Sequence, residues 1–389
     1  MRRRVLQALA GLMGVVLSGC GFQPPEEATG ARNTTGQQLV ASWSGTGSLI
    51  NSDGFAGQTA TVLPSGKVLV VGGYKSPGDE AAAELYDPVT GTWSSAGMLN
   101  DARTEHTATL LSNGKVVVAG GHHSTGLLAS VEVYDPGTNL WSSTGDMQLA
   151  RSKHGAVEVI TPAGPRLLVM GGFDSPSWEQ DTAELFDLAT GSWTFAASMN
   201  TARSGFRAVK LSSGKVLVMG GNSFYSIIDS AEEYDPSTDT WSPVGSLMEN
   251  RRGYTATLLS SGKVLVTGGL HDTNGSGFVD LASAELYDPA TSSWSSAGSM
   301  PYDTSVGGNG GRGSHAAALL ATGEVLVVGG VGGSVMQSAV VYDPTANTWS
   351  ATADTLDGRA FHTLSVLPSG EVLAVGGQYA RTSSELYTP

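Results

Sequence analysis

Beyond residue 40 the chain is a succession of short apolar runs separated by clusters of glycine, serine, asparagine, aspartate and proline. One stretch shows the pattern. Residues 106–111 predict a first strand, and Ser112-Asn113-Gly114-Lys115 the tight turn after it. Val116-Val117-Val118-Ala119 is apolar at every position, the mark of a strand covered on both faces. Residues 131–134 alternate, Asp135-Pro136-Gly137-Thr138 turns the chain back, and Leu140-Trp141-Ser142 begins a fourth strand.

This unit recurs. A Gly-Gly pair closing a Val/Leu run stands at Gly72, Gly120, Gly171, Gly220, Gly268, Gly329 and Gly376, with spacings of 48, 51, 49, 48, 61 and 47 residues. Glu-Leu-Tyr-Asp-Pro or a close variant follows most pairs. Seven residues past its aromatic stands a tryptophan: Trp93, Trp141, Trp193, Trp241, Trp294 and Trp349. An arginine then opens the next unit: Arg103, Arg151, Arg203, Arg251, Arg312 and Arg359. Four strands with Gly-Gly, Tyr and Trp in about 50 residues resemble the kelch repeat. The resemblance covers residues 40–389 and implies an all-β fold, a seven-bladed kelch-type β-propeller. The last unit ends at Glu385-Leu386-Tyr387-Thr388-Pro389, before any tryptophan, while Trp43 has no unit upstream. The N-terminal strand around Trp43 is therefore expected to close the last blade and remove the open edge. The first unit reads Phe55-Ala56-Gly57-Gln58 where others have Arg-x-x-His, so its inner strand is expected to differ slightly.

Composition agrees. Glycine is 53 of 389 residues without a three-residue period, which excludes collagen, and 40% apolar with 14% charged residues suits packed strands rather than disorder. No apolar stretch reaches 18 residues, the length of a membrane-spanning helix. The amino terminus differs from the rest. Arg2, Arg3 and Arg4 precede a largely apolar run over residues 5–17, then Leu17-Ser18-Gly19-Cys20. Residues 1–19 read as an export signal, and their end resembles the bacterial lipobox. That resemblance implies cleavage before Cys20 and acylation of its thiol. Cys20 is the single cysteine, so no disulfide remains and stability must come from the core. Residues 20–38, the lipidated cysteine and a polar stretch after it, read as a flexible tether, and residues 39–389 as the propeller. Gly21, not Asp, follows the cysteine, which resembles outer-membrane sorting in some Gram-negative families. The expected address is the bacterial cell envelope, periplasmic or surface-exposed, with the lipid bilayer as a partner through acylated Cys20. The net charge is −14; without the three signal arginines, 18 basic residues stand against 35 acids, a balance of −17. Such a surface repels nucleic acid, so none is expected as a partner.

Seven-bladed kelch propellers include the galactose oxidase relatives, whose copper site needs tyrosines, two histidines and a cysteine linked to a tyrosine. Here no Tyr-His pair exists and no cysteine remains in the propeller. His106, His154, His315 and His362 share one repeat position with Phe206 and Tyr254, so that position accepts any flat ring and reads as packing. His122-His123 lies in a loop, but adjacent strand residues point apart and no carboxylate cluster stands nearby. The glutamate before Leu/Val-Tyr recurs as Glu84, Glu132, Glu184, Glu232 or Glu233, Glu285 and Glu385, with Val340 in the sixth unit. So regular a carboxylate is expected to hold backbone amides or arginines between blades. No catalytic residue, metal or cofactor is expected.

Alternating strand direction sorts the connections onto two faces. The Ser-Gly-Lys and Asp-Pro turns share one face and hardly vary, which suits structure. The loops after Gly-Gly and the segments before each arginine share the other, and carry the non-repeating rings Tyr74, Phe173, Trp178, Phe224, Tyr225, Phe278, Tyr302 and Tyr379. Rings beside Arg103, Arg151, Arg203, Arg251, Arg312 and Arg359 suit a protein or glycan ligand. The expected function is a membrane-anchored extracytoplasmic binding module. The rivals are a sugar-modifying kelch enzyme, mutarotase-like or oxidase-like, for which Glu105 and His122 are the candidate groups, and a structural envelope protein. The Cys20→Ser chain, lacking the acylated thiol, is expected to lose its label from radioactive palmitate and to leave the membrane fraction; unchanged labelling would contradict the lipobox reading.

Overall fold

The computed structural model describes residues 40–51, 57–75, 78–174, 178–224, 226–273, 277–301 and 310–389. Cys20, the signal and the tether lie outside them, as do Phe55, Tyr225 and Tyr302. Within Ala41–Pro389 every regular element among the described residues is a β-strand. The described residues form seven four-stranded antiparallel sheets, the blades, and five two-stranded hairpins, each set between the second and third strands of a blade. The second blade is Thr107–Leu110, Val116–Ala119, Val131–Asp135 and Leu140–Ser143, in chain order. The innermost strands are Thr59–Val62, Thr107–Leu110, Gly155–Thr161, Arg207–Lys210, Thr255–Leu258, Ala316–Leu319 and Thr363–Val366. Each packs beside the next and the last returns to the first, enclosing a central channel. The chain is thus the seven-bladed propeller expected. Its last blade is completed by Ser42–Gly45, which pairs with Ser384–Thr388 and sets Trp43 opposite Tyr387.

The repeat residues are what join one blade to the next. Second strands such as Val68–Val71 and Val116–Ala119 are buried along their whole length, because blades cover them on both sides. Each repeat tryptophan lies against the aromatic of the third strand, with Trp43 and Tyr387 at 5.2 Å between centroids and Trp141 and Tyr134 at 5.0 Å. Its indole N–H donates to a carbonyl reached from the preceding blade: Trp43 to Ala353 at 2.9 Å, Trp93 to Gly47 and Trp141 to Ala96 at 2.8 Å.

Nearer the axis, Gln58, His106, His154, Phe206, Tyr254, His315 and His362 are all buried. Each lies on the Gly-Gly pair of the preceding blade. At Gly120 the backbone is left-handed (φ +59°), and an added Cβ would stand 2.6 Å from the Arg151 carbonyl and 2.9 Å from His154 Cε1. In the first blade Gln58 replaces the ring; its amide donates to the Val375 carbonyl at 3.0 Å and meets Gly376 of the last blade. The inner strand itself does not depart, since Thr59–Val62 pairs like its counterparts.

The recurring glutamate does hold amides and arginines. Glu132 accepts from the Asn100 N–H at 2.9 Å and from Arg103 Nη2 at 2.9 Å, while Arg103 Nη1 donates to the carbonyls of Gly120 and Ser130 at 2.8 and 3.0 Å. Arg203 repeats this set on Glu232, whereas Glu233 takes the Tyr287 hydroxyl at 2.8 Å. Where Val340 replaces the glutamate, Arg312 keeps the carbonyls of Gly329 and Ser338 at 3.1 and 3.0 Å.

Trp43 is 8% exposed. Trp43→Ala is expected to cost roughly 3–5 kcal/mol, read as a lower melting temperature. A chain beginning at residue 50 should expose the Ser384–Thr388 edge and aggregate or melt still lower. Melting like the parent would mean that the ring closes some other way.

Candidate functional site

The five hairpins follow the Gly-Gly pairs of blades one to five: Tyr74–Lys75 with Gly78–Asp79, His122–His123 with Gly126–Leu127, Phe173–Asp174 with Trp178–Glu179, Asn222–Ser223 with Ser226–Ile227, and Leu270–Asp272 with Phe278–Asp280. Four of them, and in blades six and seven the loops in their place, are tied by a bridge to the segment leading into the inner strand, as Thr104 to His122 and Arg252 to Leu270. The variable loops are thus ribbons that extend the blades upward. They raise Tyr74, Trp178, Phe224 and Phe278, each 44–59% exposed, with Phe173 half-buried on the same hairpin as Trp178. Trp178 and Phe224 meet across two blades at 5.9 Å between centroids, and the Phe224 N–H donates to Glu179 Oε2 at 3.0 Å. At the next hairpin Arg252, in the segment leading into the inner strand, lies 5.1 Å over the Phe278 ring. Blades three to five therefore carry an arc of rings with charged groups between them. Tyr379 stands apart on blade seven, 73% exposed, at the rim of an open groove of about 520 Å³ that also includes Val335 and Gln378.

The structure corrects the expectation for the arginines. Arg103, Arg151, Arg203, Arg251, Arg312 and Arg359 are fully buried. Their guanidinium groups point into the blades, onto glycine and serine carbonyls and, in five cases, the repeat glutamate. Reaching a ligand would strip those carbonyls and carboxylates of their donors, so these arginines are interior struts. The cation that lies over a ring of this arc is Arg252, one residue past the repeat arginine.

The histidines divide as their positions predict. His106, His154 and His362 are held neutral, with pKa lowered to about 3 chiefly by burial and next by the neighbouring repeat arginine; His315 is lowered in the same way. His122 is exposed and joins Tyr74, Asp79, Thr104 and Glu105 around a groove of about 350 Å³ between the first two hairpins. The two groups named for enzyme chemistry thus share one depression, although Glu105 is also paired with Lys153 at 3.3 Å.

Beneath the hairpins lies a collar that the repeat pattern hides. Gly57, Glu105, Lys153, Gly205, Gly253, Ser314 and Phe361, one from each blade, all have left-handed backbones, with φ between +54° and +73°. Around the mouth the N–H of one donates to the carbonyl of another: Glu105 to Gly57, Lys153 to Glu105, Gly205 to Lys153, Ser314 to Gly253 and Phe361 to Ser314, at 2.7–3.1 Å. The rim is thus built of main chain, and its side chains are free to differ.

Residues 57–269 match the model of the KLHDC2/KLHL20/DRC7 Kelch-repeats domain, and residues 312–355 match the Kelch motif. The chain belongs to the Kelch-repeat family. No curated protein matches it. Among solved structures it is similar to a fungal alcohol oxidase of the AA5 family in complex with copper, at 17% identity and a TM-score of 0.68, over 90% of this chain and 77% of that one. This likeness is one of fold. Among the described residues of this Kelch propeller no three His, Cys, Asp or Glu side chains come together to hold a metal ion. The four buried histidines face separate Gly-Gly pairs. The described residues do not fit a copper centre.

The neutral histidines carry a pH signature. A folded pKa near 3 lies below the ordinary 6.5, so the unfolded chain binds the proton first as pH falls. The stability is complete above pH 6.5 and declines toward pH 3, by up to about 1.4 kcal/mol per pH unit for each such histidine. Neither ring nitrogen of His362 has a hydrogen-bond partner. His362→Phe, which copies Phe206, should therefore fold and should show a shallower fall of melting temperature between pH 7 and 4. An unchanged slope would mean that His362 is charged in the fold.

Proposed function

We propose that this Kelch propeller is an extracytoplasmic binding module, held to a bilayer through acylated Cys20, that takes its ligand on the hairpin face. The observation that carries this reading is the arc of Trp178, Phe224 and Phe278 with Arg252 across three blades. The opposite face offers short turns whose charges are spent on each other, as Lys67 on Asp87 and Lys115 on Asp135 at 3.0 Å. On the hairpin face the rings are separated by Glu179, Asn222, Arg252 and Asp280 rather than merged into an apolar patch. Flat rings interleaved with hydrogen-bonding groups suit a polyhydroxylated ligand, so a glycan is favoured over a protein segment. A second reading, a sugar-modifying enzyme of the mutarotase kind, is supported by the Tyr74, Asp79, Glu105 and His122 groove.

The test is a glycan array and a pull-down with the intact chain in detergent. Trp178→Ala and Phe278→Ala should each weaken the ligand found by roughly 1–3 kcal/mol. Lys115→Ala and Lys215→Ala, on the opposite face, should leave it unchanged. The reverse pattern would move the site to the other face, a protein captured in place of a glycan would correct the ligand class, and no binding to either screen would favour a structural envelope role. Turnover lost in Glu105→Gln would favour the enzyme.

A further inference from the structure

The residue that follows the ring position is Thr59, Thr107, Gly155, Thr255, Ala316 or Thr363 in six blades, and Arg207 in the fourth. Arg207 begins an innermost strand, on the channel wall, enclosed by protein yet exposed to the channel. Its backbone N–H donates to the Tyr254 hydroxyl at 3.1 Å and its Nε to the Tyr254 carbonyl at 2.9 Å, with Cζ 5.9 Å from the Tyr254 ring centre. These contacts fix the fork. Nη1 and Nη2 have no hydrogen-bond or ion-pair partner among the described residues, in contrast to Arg103, Arg151, Arg203, Arg251 and Arg359, which all reach a glutamate.

The surroundings leave this cation uncompensated. Burial lowers its pKa, and Tyr254 beside it is a neutral phenol, pushed up to about 12. His315, on which the Arg207 charge acts, is neutral as well. The collar above is open on this side: Gly205 and Gly253 contribute no side chain, and a Cβ at either would meet nothing closer than 3.6 Å. The collar's charged pair, Glu105 with Lys153, belongs to blades two and three.

We propose that Arg207 anchors an anion site inside the channel mouth that takes a single carboxylate carried by a small ligand. Two parallel N–H groups match the two oxygens of a carboxylate. One positive charge whose neighbours Tyr254 and His315 are neutral balances one negative charge, so a dianion such as phosphate would leave a charge unpaired. This site shares no residue with the ring arc, so either can fail alone.

Titration calorimetry of the intact chain in detergent with acetate, glucuronate and N-acetylglycine tests it, with glucose as the neutral control. The carboxylates should bind saturably, glucose should not, and the stronger of glucuronate and N-acetylglycine identifies a sugar acid or an acylated amino acid as the source. Arg207→Gln should weaken binding by about tenfold or more. Arg207→Lys, which keeps the charge without the fork, should fall between. Lys210→Gln at the far end of the strand and Trp178→Ala should bind like the parent. On the parent itself, the Arg207 side-chain Nε–H resonance should move on adding the carboxylate, a readout that needs no variant to fold. Binding that survives Arg207→Gln, a parent that binds none of the three carboxylates, or an Nε–H resonance that stays still would overturn the assignment.

Discussion

The distance between neighbouring blades is set by one contact, a flat side chain lying on a glycine pair. The pair must be glycine, because at Gly120 and Gly220 an added Cβ would collide with the backbone carbonyl and the ring at once. The other side needs only a planar group of the right thickness, which is why histidine, phenylalanine, tyrosine and one glutamine serve alike. The contact is repeated around the circle and ends where it began, with Gln58 on Gly376. It therefore governs the width of the channel, and through it the collar and every side chain that looks into it.

The buried arginines act at the next radius outward. A buried ion pair is weak evidence of stability in itself, since desolvating two charges offsets most of their attraction. Here the geometry supplies a different benefit. One guanidinium satisfies two main-chain carbonyls, while its glutamate caps amides of the segment arriving from the previous blade, as Glu132 does for Asn100. Groups that the crossing between blades would leave unpaired are thereby hydrogen-bonded. Removing one partner would strand the other, so the pair specifies the path of the connection more than it strengthens the fold.

These struts also show where sequence reading succeeds and where it stops. The blade count, the closing strand and the packing role of the histidines follow from residues whose types recur at fixed positions, because identical neighbours impose identical choices. The repeat arginines recur just as strictly, and regularity of that kind points to the interior. In five of the six units the blade's glutamate follows 26 to 34 residues on, as Glu385 after Arg359 and Glu285 after Arg251, which is the signal that pairs them. Arg252 and Arg207 break the pattern instead. Seen one beside another, the seven units make Arg207 stand out against four threonines, a glycine and an alanine. The hairpins and the collar were not legible, because both depend on left-handed backbones that glutamate, lysine, serine and phenylalanine adopt only when the ring of blades obliges them to.

Closure by the first strand has a consequence in time. Trp43 donates to a carbonyl 310 residues away, and Gln58 to one 317 residues away. These are contacts of extreme sequence separation, and the chain entropy of bringing their ends together must be met before they return any stability. A chain that appears amino end first would have to keep residues 42–45 unpaired until Ser384–Thr388 had been made. Six blades can assemble by local pairing while the seventh waits as three strands with an open edge. The last step of folding is then the docking of the earliest strand, and the interval before it is when this protein is most exposed to self-association.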